Sequence, residues 1–217
     1  MRTRGRPVTL SEDDLLAAAR DVFLERGLDA TTVEIAERAG ISESVIFHRY
    51  KTKEALFLAV FDRELVLPEV FEHLASAVGK GEIAEHLFAL GSGVVELSQS
   101  VLPFMMMAFS SPTKLHQCHD RMRKPHTIRL KMVRLLSGYF EAEVRLDRLR
   151  AVDPEILART FLGGVQHYVM SDFLERSADG LPLAAGTYLR GLIDILLEGA
   201  AALPIVHRPA RPRRTRR

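Results

Sequence analysis

The 217-residue chain is 47% hydrophobic and 27% charged, the balance of a soluble globular protein long enough to bury a sizeable core. Its net charge of +2 hides an uneven distribution. Arg2, Arg4 and Arg6 lie at the start and Arg208, Arg211, Arg213, Arg214, Arg216 and Arg217 at the end; without those nine, 21 basic side chains face 28 acidic ones. A body of that sign repels nucleic acid except where cations gather, and the single Cys118 excludes an intramolecular disulfide. The start is polar and basic without an apolar leader core, and apolar runs such as residues 101–109 are short and interrupted. The expectation is a cytoplasmic protein with no membrane contact.

Periodicity is helical almost throughout, which predicts an all-α fold. Ser11 with Glu12, Asp13 and Asp14 opens a first helix as a cap and acidic first turn. Leu15, Ala19, Val22 and Phe23 form its apolar stripe, and Gly27 ends it. Thr31 and Glu34 make a capping box for a second helix that stops at Gly40, Ser42 caps a third, and Thr52 caps a fourth running to about Leu65. Pro68 and the Gly79–Gly81 stretch loosen the pattern and place a domain junction there. Further helices are predicted over residues 82–99, 102–110, 125–144, 154–178 and 183–203, with Asp153-Pro154 as a cap and first-position proline.

Two short helices meeting at Gly40 make a helix-turn-helix. Ile35, Ala36 and Ala39 supply one packing side, and Ile41, Val45 or Ile46, and Tyr50 the other. Ser42, Glu43, Ser44, Phe47, His48 and Arg49 are left on the outer face of the third helix, mostly short or polar, as a helix approaching base edges requires.

At these residues the sequence resembles the TetR family of bacterial transcriptional regulators. The resemblance covers roughly residues 10–60 without a gap and rests on Thr32, Ile35-Ala36, Ala39-Gly40-Ile41-Ser42, Ile46-Phe47, Tyr50, Lys53 and Leu56. It implies a base-reading surface of Ser42, Glu43, Ser44 and Val45, with phosphate contacts from Thr32, Phe47, His48 and Lys53. Three positions depart from the family pattern. Ser44 stands where glycine or alanine is usual, Phe47 replaces a tyrosine and loses its hydroxyl donor, and Tyr50 replaces a phenylalanine and needs a partner for its hydroxyl. Upstream, Arg4-Gly-Arg6-Pro7 resembles a minor-groove arm, with Arg4 and Arg6 as its contacts.

The domain reading is a flexible basic arm over 1–9, a DNA-binding domain over 10–65, a helical ligand-binding and dimerisation domain over 66–206, and a disordered Arg/Pro-rich tail over 207–217. Phe104, Met105, Met106, Met107 and Phe109 form an adaptable apolar cluster. Met132, Leu136 and Phe140, then Phe161, Gln166, Tyr168 and Met170, are the residues expected to face it across a pocket. That such a pocket takes a small apolar or amphipathic ligand is what the family resemblance implies. Leu162, Val165, Val169, Leu189, Leu192, Ile193, Leu196 and Leu197 form long stripes in the last two helices, which in TetR-like proteins build a dimer interface. A homodimer would set two recognition helices about 34–36 Å apart, one turn of DNA, over a palindromic operator.

His116, Cys118, His119 and Asp120 lack a second ligand set at zinc-like spacing and read as a solvated helix end, so no metal or cofactor is expected. No nucleophile motif such as Gly-x-Ser-x-Gly is present, so no catalytic residue is expected. The leading expectation is a ligand-released repressor. Two alternatives stay open: a regulator whose C-terminal half binds a protein partner, and a helical lipid-binding protein.

Overall fold

The computed structural model describes residues 11–110, 127–175 and 183–199, and everything below concerns those residues. They form ten α-helices: α1 (Glu12–Arg26), α2 (Thr32–Ala39), α3 (Glu43–Tyr50), α4 (Lys53–Glu64), α5 (Glu69–Glu72), α6 (Leu74–Ala77), α7 (Ile83–Ser110), α8 (Ile128–Arg145), α9 (Pro154–Glu175) and α10 (Ala185–Glu198). The Arg4–Pro7 arm, the His116–Asp120 cluster and the arginine-rich tail lie outside the described residues.

The helix starts follow the local chemistry. Ser11 Oγ accepts from the Asp14 amide at 3.1 Å. Thr31 and Glu34 exchange both bonds of a capping box, at 2.9 and 3.2 Å. Thr52 Oγ1 accepts from Ala55 at 3.1 Å, and Asp153 Oδ1 accepts from the Glu155 and Ile156 amides at 2.9 Å each. Gly40 closes α2 at φ 67°, ψ 30°, a left-handed cap that a side chain would strain. Ser42 occupies the cap position of α3 but makes no capping bond; its hydroxyl meets that of Ser44 at 2.8 Å.

The helices bury two cores. The N-terminal one gathers Leu15, Ala19, Phe23, Ile35, Ile46, Leu56, Phe57 and Phe61 from α1 to α4. The second gathers Leu87, Leu90, Val94, Met132, Leu136, Phe140, Phe161, Val165, Leu189 and Ile193 from α7 to α10. Two short helices that the sequence pattern did not predict, α5 and α6, add Phe71 and Leu74 to the second core.

The 28-residue α7 corrects two expectations. It runs unbroken through Pro103, where separate helices over 82–99 and 102–110 were predicted. Proline removes one backbone bond and crowds the preceding turn. Apolar contacts on both sides of Pro103 hold the helix together: Leu102 in the second core, Val101 and Phe104 in the first. The helix is also long and apolar enough, by length and composition, to cross a bilayer, which the sequence reading had excluded. Its apolar residues instead serve the two cores, with Leu97 touching both.

Close helix contact in the second core depends on two glycines. A Cβ at Gly91 would lie 2.7 Å from Leu189, and one at Gly164 would lie 2.9 Å from Leu192. At Gly164 the backbone oxygen also accepts from the Tyr188 hydroxyl at 2.9 Å, tying α9 to α10.

Candidate nucleic-acid interface

The recognition surface is built on α2 and α3, held by the Ile35, Ala36 and Ile46 side chains in the N-terminal core. Two polar ties brace it from behind. Arg38 of α2 forks onto Glu25 of α1 at 3.0 and 2.7 Å, and that guanidinium holds the Glu25 carboxyl below its ordinary range. Tyr50 at the end of α3 donates to Glu12 of α1 at 2.8 Å. Its phenol is thereby supplied with the partner that the substitution of tyrosine for phenylalanine demanded. Burial, with Glu12 beside it, pushes this group up to about 12.

On the outer face, Ser42, Ser44, Phe47, His48 and Arg49 are exposed, and Glu43 and Val45 are half-buried. Phe47 is an uncommonly open aromatic, 44% exposed. Lys51 turns the chain from α3 into α4 at φ 64°, with Thr52 N–H donating to the Tyr50 carbonyl at 2.7 Å. This is a γ-turn, strained for any residue with a Cβ. Its ammonium donates to the His48 carbonyl at 3.0 Å. Arg49 and Lys51 thus place two cations at the C-terminal end of α3. The sequence reading named neither among the DNA-binding residues, although their charge beside the motif was the available signal.

Two of the expected phosphate contacts are turned elsewhere. Lys53 does not present its ammonium outward: Nζ donates to the Leu28 carbonyl at 2.7 Å and the Ala30 carbonyl at 2.9 Å. These carbonyls belong to the short 3-10 turn Gly27–Asp29 and its cap, whose chain end needs donors, so the lysine pins α4 to the α1–α2 connection. Thr32 donates its hydroxyl proton to Oε1 of Glu43, joining the first turns of α2 and α3. Motif spacing places both residues at the surface but does not say which acceptor lies within reach.

The expected ligand pocket divides. Met132, Leu136, Phe140 and Phe161 are buried together in the second core, and Met106 and Met170 pack against it. Phe104 instead lies in the N-terminal core, its ring 5.7 Å from Phe57, with Met105 and Met107 packed beside it. Phe109 is exposed, Gln166 is exposed, and Tyr168 stacks on Tyr188 at 4.8 Å. The methionine run therefore cements the recognition module to the rest of the chain rather than lining one pocket. A helix that passes between two cores serves both with successive residues, which a linear apolar cluster does not reveal.

A cleft of about 420 Å³ opens at the far end of the second core. It lies between Ile83, Leu149, Leu157 and Leu197, with Arg148 and Arg150 at its edge.

The expected dimer stripe is corrected in the same way. Leu162, Val165, Val169, Leu189 and Ile193 are buried inside the protomer's own core, with Leu192, Leu196 and Leu197 packed against it. Other apolar residues are left open there: Ile156 at 65%, Phe173 at 38% and Leu174 at 64% exposure on α9, Leu183 at 51% just before α10, and Ile195 at 59% on α10. Gly163 and Gly191 lie exposed on the same helices, with nothing near where a Cβ would be.

Among the described residues no group of three His, Cys, Asp or Glu side chains is placed to hold a metal ion. The geometry is that of a helix-turn-helix protein with an exposed, polar third helix. Residues 15–60 match the family described as "Bacterial regulatory proteins, tetR family", so this segment of the chain is similar to that family's DNA-binding module.

Among curated proteins, the HTH-type transcriptional activator FasR of Mycolicibacterium smegmatis is 44% identical over 52 residues, 24% of either chain. The HTH-type transcriptional regulator RutR of Escherichia coli K12 is 40% identical over 58 residues, 26% of this chain and 27% of that one. The chain thus matches about a quarter of the length of these relatives.

The fold extends the likeness. FadR of Bacillus subtilis, solved in complex with stearoyl-CoA, superposes with a TM-score of 0.60 at 14% identity, covering 88% of this chain and 100% of that one. PfmR of Thermus thermophilus, a TetR-family regulator, gives 0.56 at 20% identity, covering 87% and 99%.

Proposed function

We propose that this protein is a cytoplasmic, homodimeric transcription regulator that binds a palindromic operator and is released from it by an amphipathic ligand. The observation that carries the DNA-binding part is the outer face of α3. It is a short, exposed, largely polar surface on a helix anchored in the N-terminal core through Ile46, within a segment that matches a family of regulators over residues 15–60. Ser42, Glu43, Ser44 and Val45 meet base edges, while His48, Arg49 and Lys51 meet phosphates. Phe47 has no hydroxyl to donate, so it serves as an apolar contact for a sugar or a thymine methyl. The arm with Arg4 and Arg6 adds minor-groove contacts.

One recognition helix of eight residues reads too few bases for useful specificity, so a second copy is required. Ile156, Gly163 and Leu174 of α9 with Gly191 and Ile195 of α10, and Leu183 just before it, supply the surface for it, because these are apolar and small residues that the protomer leaves uncovered.

The ligand part rests on the path of α7. A molecule that parts the second core around Met106, Met132, Leu136 and Phe161 moves a helix whose far end sits in the recognition module through Phe104. It shifts the dimer off DNA only insofar as it binds the non-operator conformer more tightly. The stearoyl-CoA held by the Bacillus subtilis neighbour supports a long-chain acyl compound as the first ligand to try. Repression is the simplest reading of ligand-released binding.

The deciding experiment selects bound sequences from random duplex DNA with the full chain, then titrates long-chain acyl-CoA against the enriched site. A palindrome occupied by two protomers and emptied by acyl-CoA is the expected result. No enrichment over the input pool would remove the DNA-binding reading. Enrichment unaffected by acyl-CoA would remove the ligand class alone.

A further inference from the structure

We infer that Glu43 is a specificity-determining residue that selects cytosine at one position of each operator half-site, with Thr32 as the residue that positions it. The inference rests on the DNA-binding reading above and names what that site recognises. Glu43 is the first residue of α3, half-buried, at the end of the helix that enters a groove first. Thr32, the first residue of α2, donates to its Oε1. That bond fixes the carboxylate across the helix-turn-helix and leaves Oε2 as the free acceptor. Among the described residues Glu43 has no other hydrogen bond or ion pair.

A carboxylate without a cation, carried into a groove lined with phosphates, is repelled unless a donor meets it. In the major groove cytosine N4 and adenine N6 are the amino donors. Adenine sets its N7 acceptor beside N6, and guanine and thymine present oxygen acceptors, all of which oppose a carboxylate oxygen. Cytosine places a C–H next to its amino group and is the base that satisfies one oxygen without placing another acceptor against it. The same charge that rewards cytosine penalises the other bases, so discrimination comes from repulsion as much as attraction. Ser42 and Ser44 flank Glu43 in the chain, but their hydroxyls meet each other at 2.8 Å and neither is bonded to the carboxylate.

The test is selection from random duplex DNA with the full-length protein, its Glu43→Gln variant, and Thr32→Val and Thr32→Ser variants, each checked for native helicity by circular dichroism. The wild type is expected to enrich a palindrome with a cytosine whose replacement lowers affinity about tenfold. Glu43→Gln is expected to keep the rest of the site but shift that position to adenine, because a glutamine amide pairs with N6 and N7 together. Thr32→Val should blur the same position, and Thr32→Ser should restore it, which a merely structural role would not produce. If Glu43→Gln enriches the same palindrome with the same base at every position, the inference is wrong while the DNA-binding reading stands. A wild-type palindrome without a cytosine that depends on Glu43 overturns it equally. If the wild type enriches nothing, both fall together.

Discussion

Replacing Lys53 by alanine separates two roles that the family motif runs together. In this chain the Lys53 ammonium donates to the Leu28 and Ala30 carbonyls at 2.7 and 2.9 Å, in a half-buried site. Removing it strips two carbonyls of a charged donor at the turn that joins α1 to α2. A hydrogen bond to a charged group contributes about 1.5–3 kcal/mol; partial exposure reduces the sum, so the loss should be about 2 kcal/mol. For a chain of this size that lowers Tm by roughly 4–8 °C. Thermal unfolding of the free protein at fixed concentration measures it directly. The slope of log affinity against log salt on the enriched operator measures the other role, since each neutralised phosphate adds about 0.9 to that slope. The structure predicts a lowered Tm with the slope nearly unchanged. An unchanged Tm with a slope reduced by about 1 would show that the ammonium turns to phosphate, and the inward geometry would be refuted.

Three further outcomes follow from the same packing. Phe104→Ala empties a fully buried site against Phe57 and should cost about 3–5 kcal/mol, read by chemical denaturation; a loss below about 1 kcal/mol would mean that α7 does not enter the recognition module's core. Ile195→Glu, at a residue 59% exposed in the protomer, should leave the fold intact and convert the proposed dimer to monomer in sedimentation velocity, whereas an unchanged dimer would place the interface elsewhere. Tyr50, pushed up to about 12 from an ordinary value near 10, favours the folded state through its neutral form. That contribution is complete below about pH 10 and fades as pH rises towards 12. Tyr50→Phe should remove this alkaline component of the stability profile, and an identical profile in the variant would contradict the bond to Glu12.

The N-terminal module was legible in the sequence because its signals are local. A capping box spans four residues, Gly40 must take a positive φ wherever α2 ends, and the Thr32–Leu56 spacing is a short-range pattern that the 15–60 family match bears out. All-α architecture was legible for the same reason, as was the polar face of α3.

Direction and opposition were not. Periodicity identifies an apolar stripe but not the surface that covers it: the stripe through Val165 and Ile193 serves the protomer's own core, and the open residues are Ile156, Leu174 and Ile195. Met105 and Met106 are adjacent in the chain yet pack against different cores, because α7 passes between them. Pro103 breaks helices by its own chemistry, and only contacts from both sides outweigh it. Thr32 and Lys53 stand where the motif requires, but the acceptors that claim their protons, Glu43 and two loop carbonyls, lie 11 to 25 residues away. The sequence by itself determined that this protein carries a helix-turn-helix, since local backbone preference suffices for that. Tertiary structure alone decided what each exposed or apolar side chain meets, because that depends on residues brought together from distant parts of the chain.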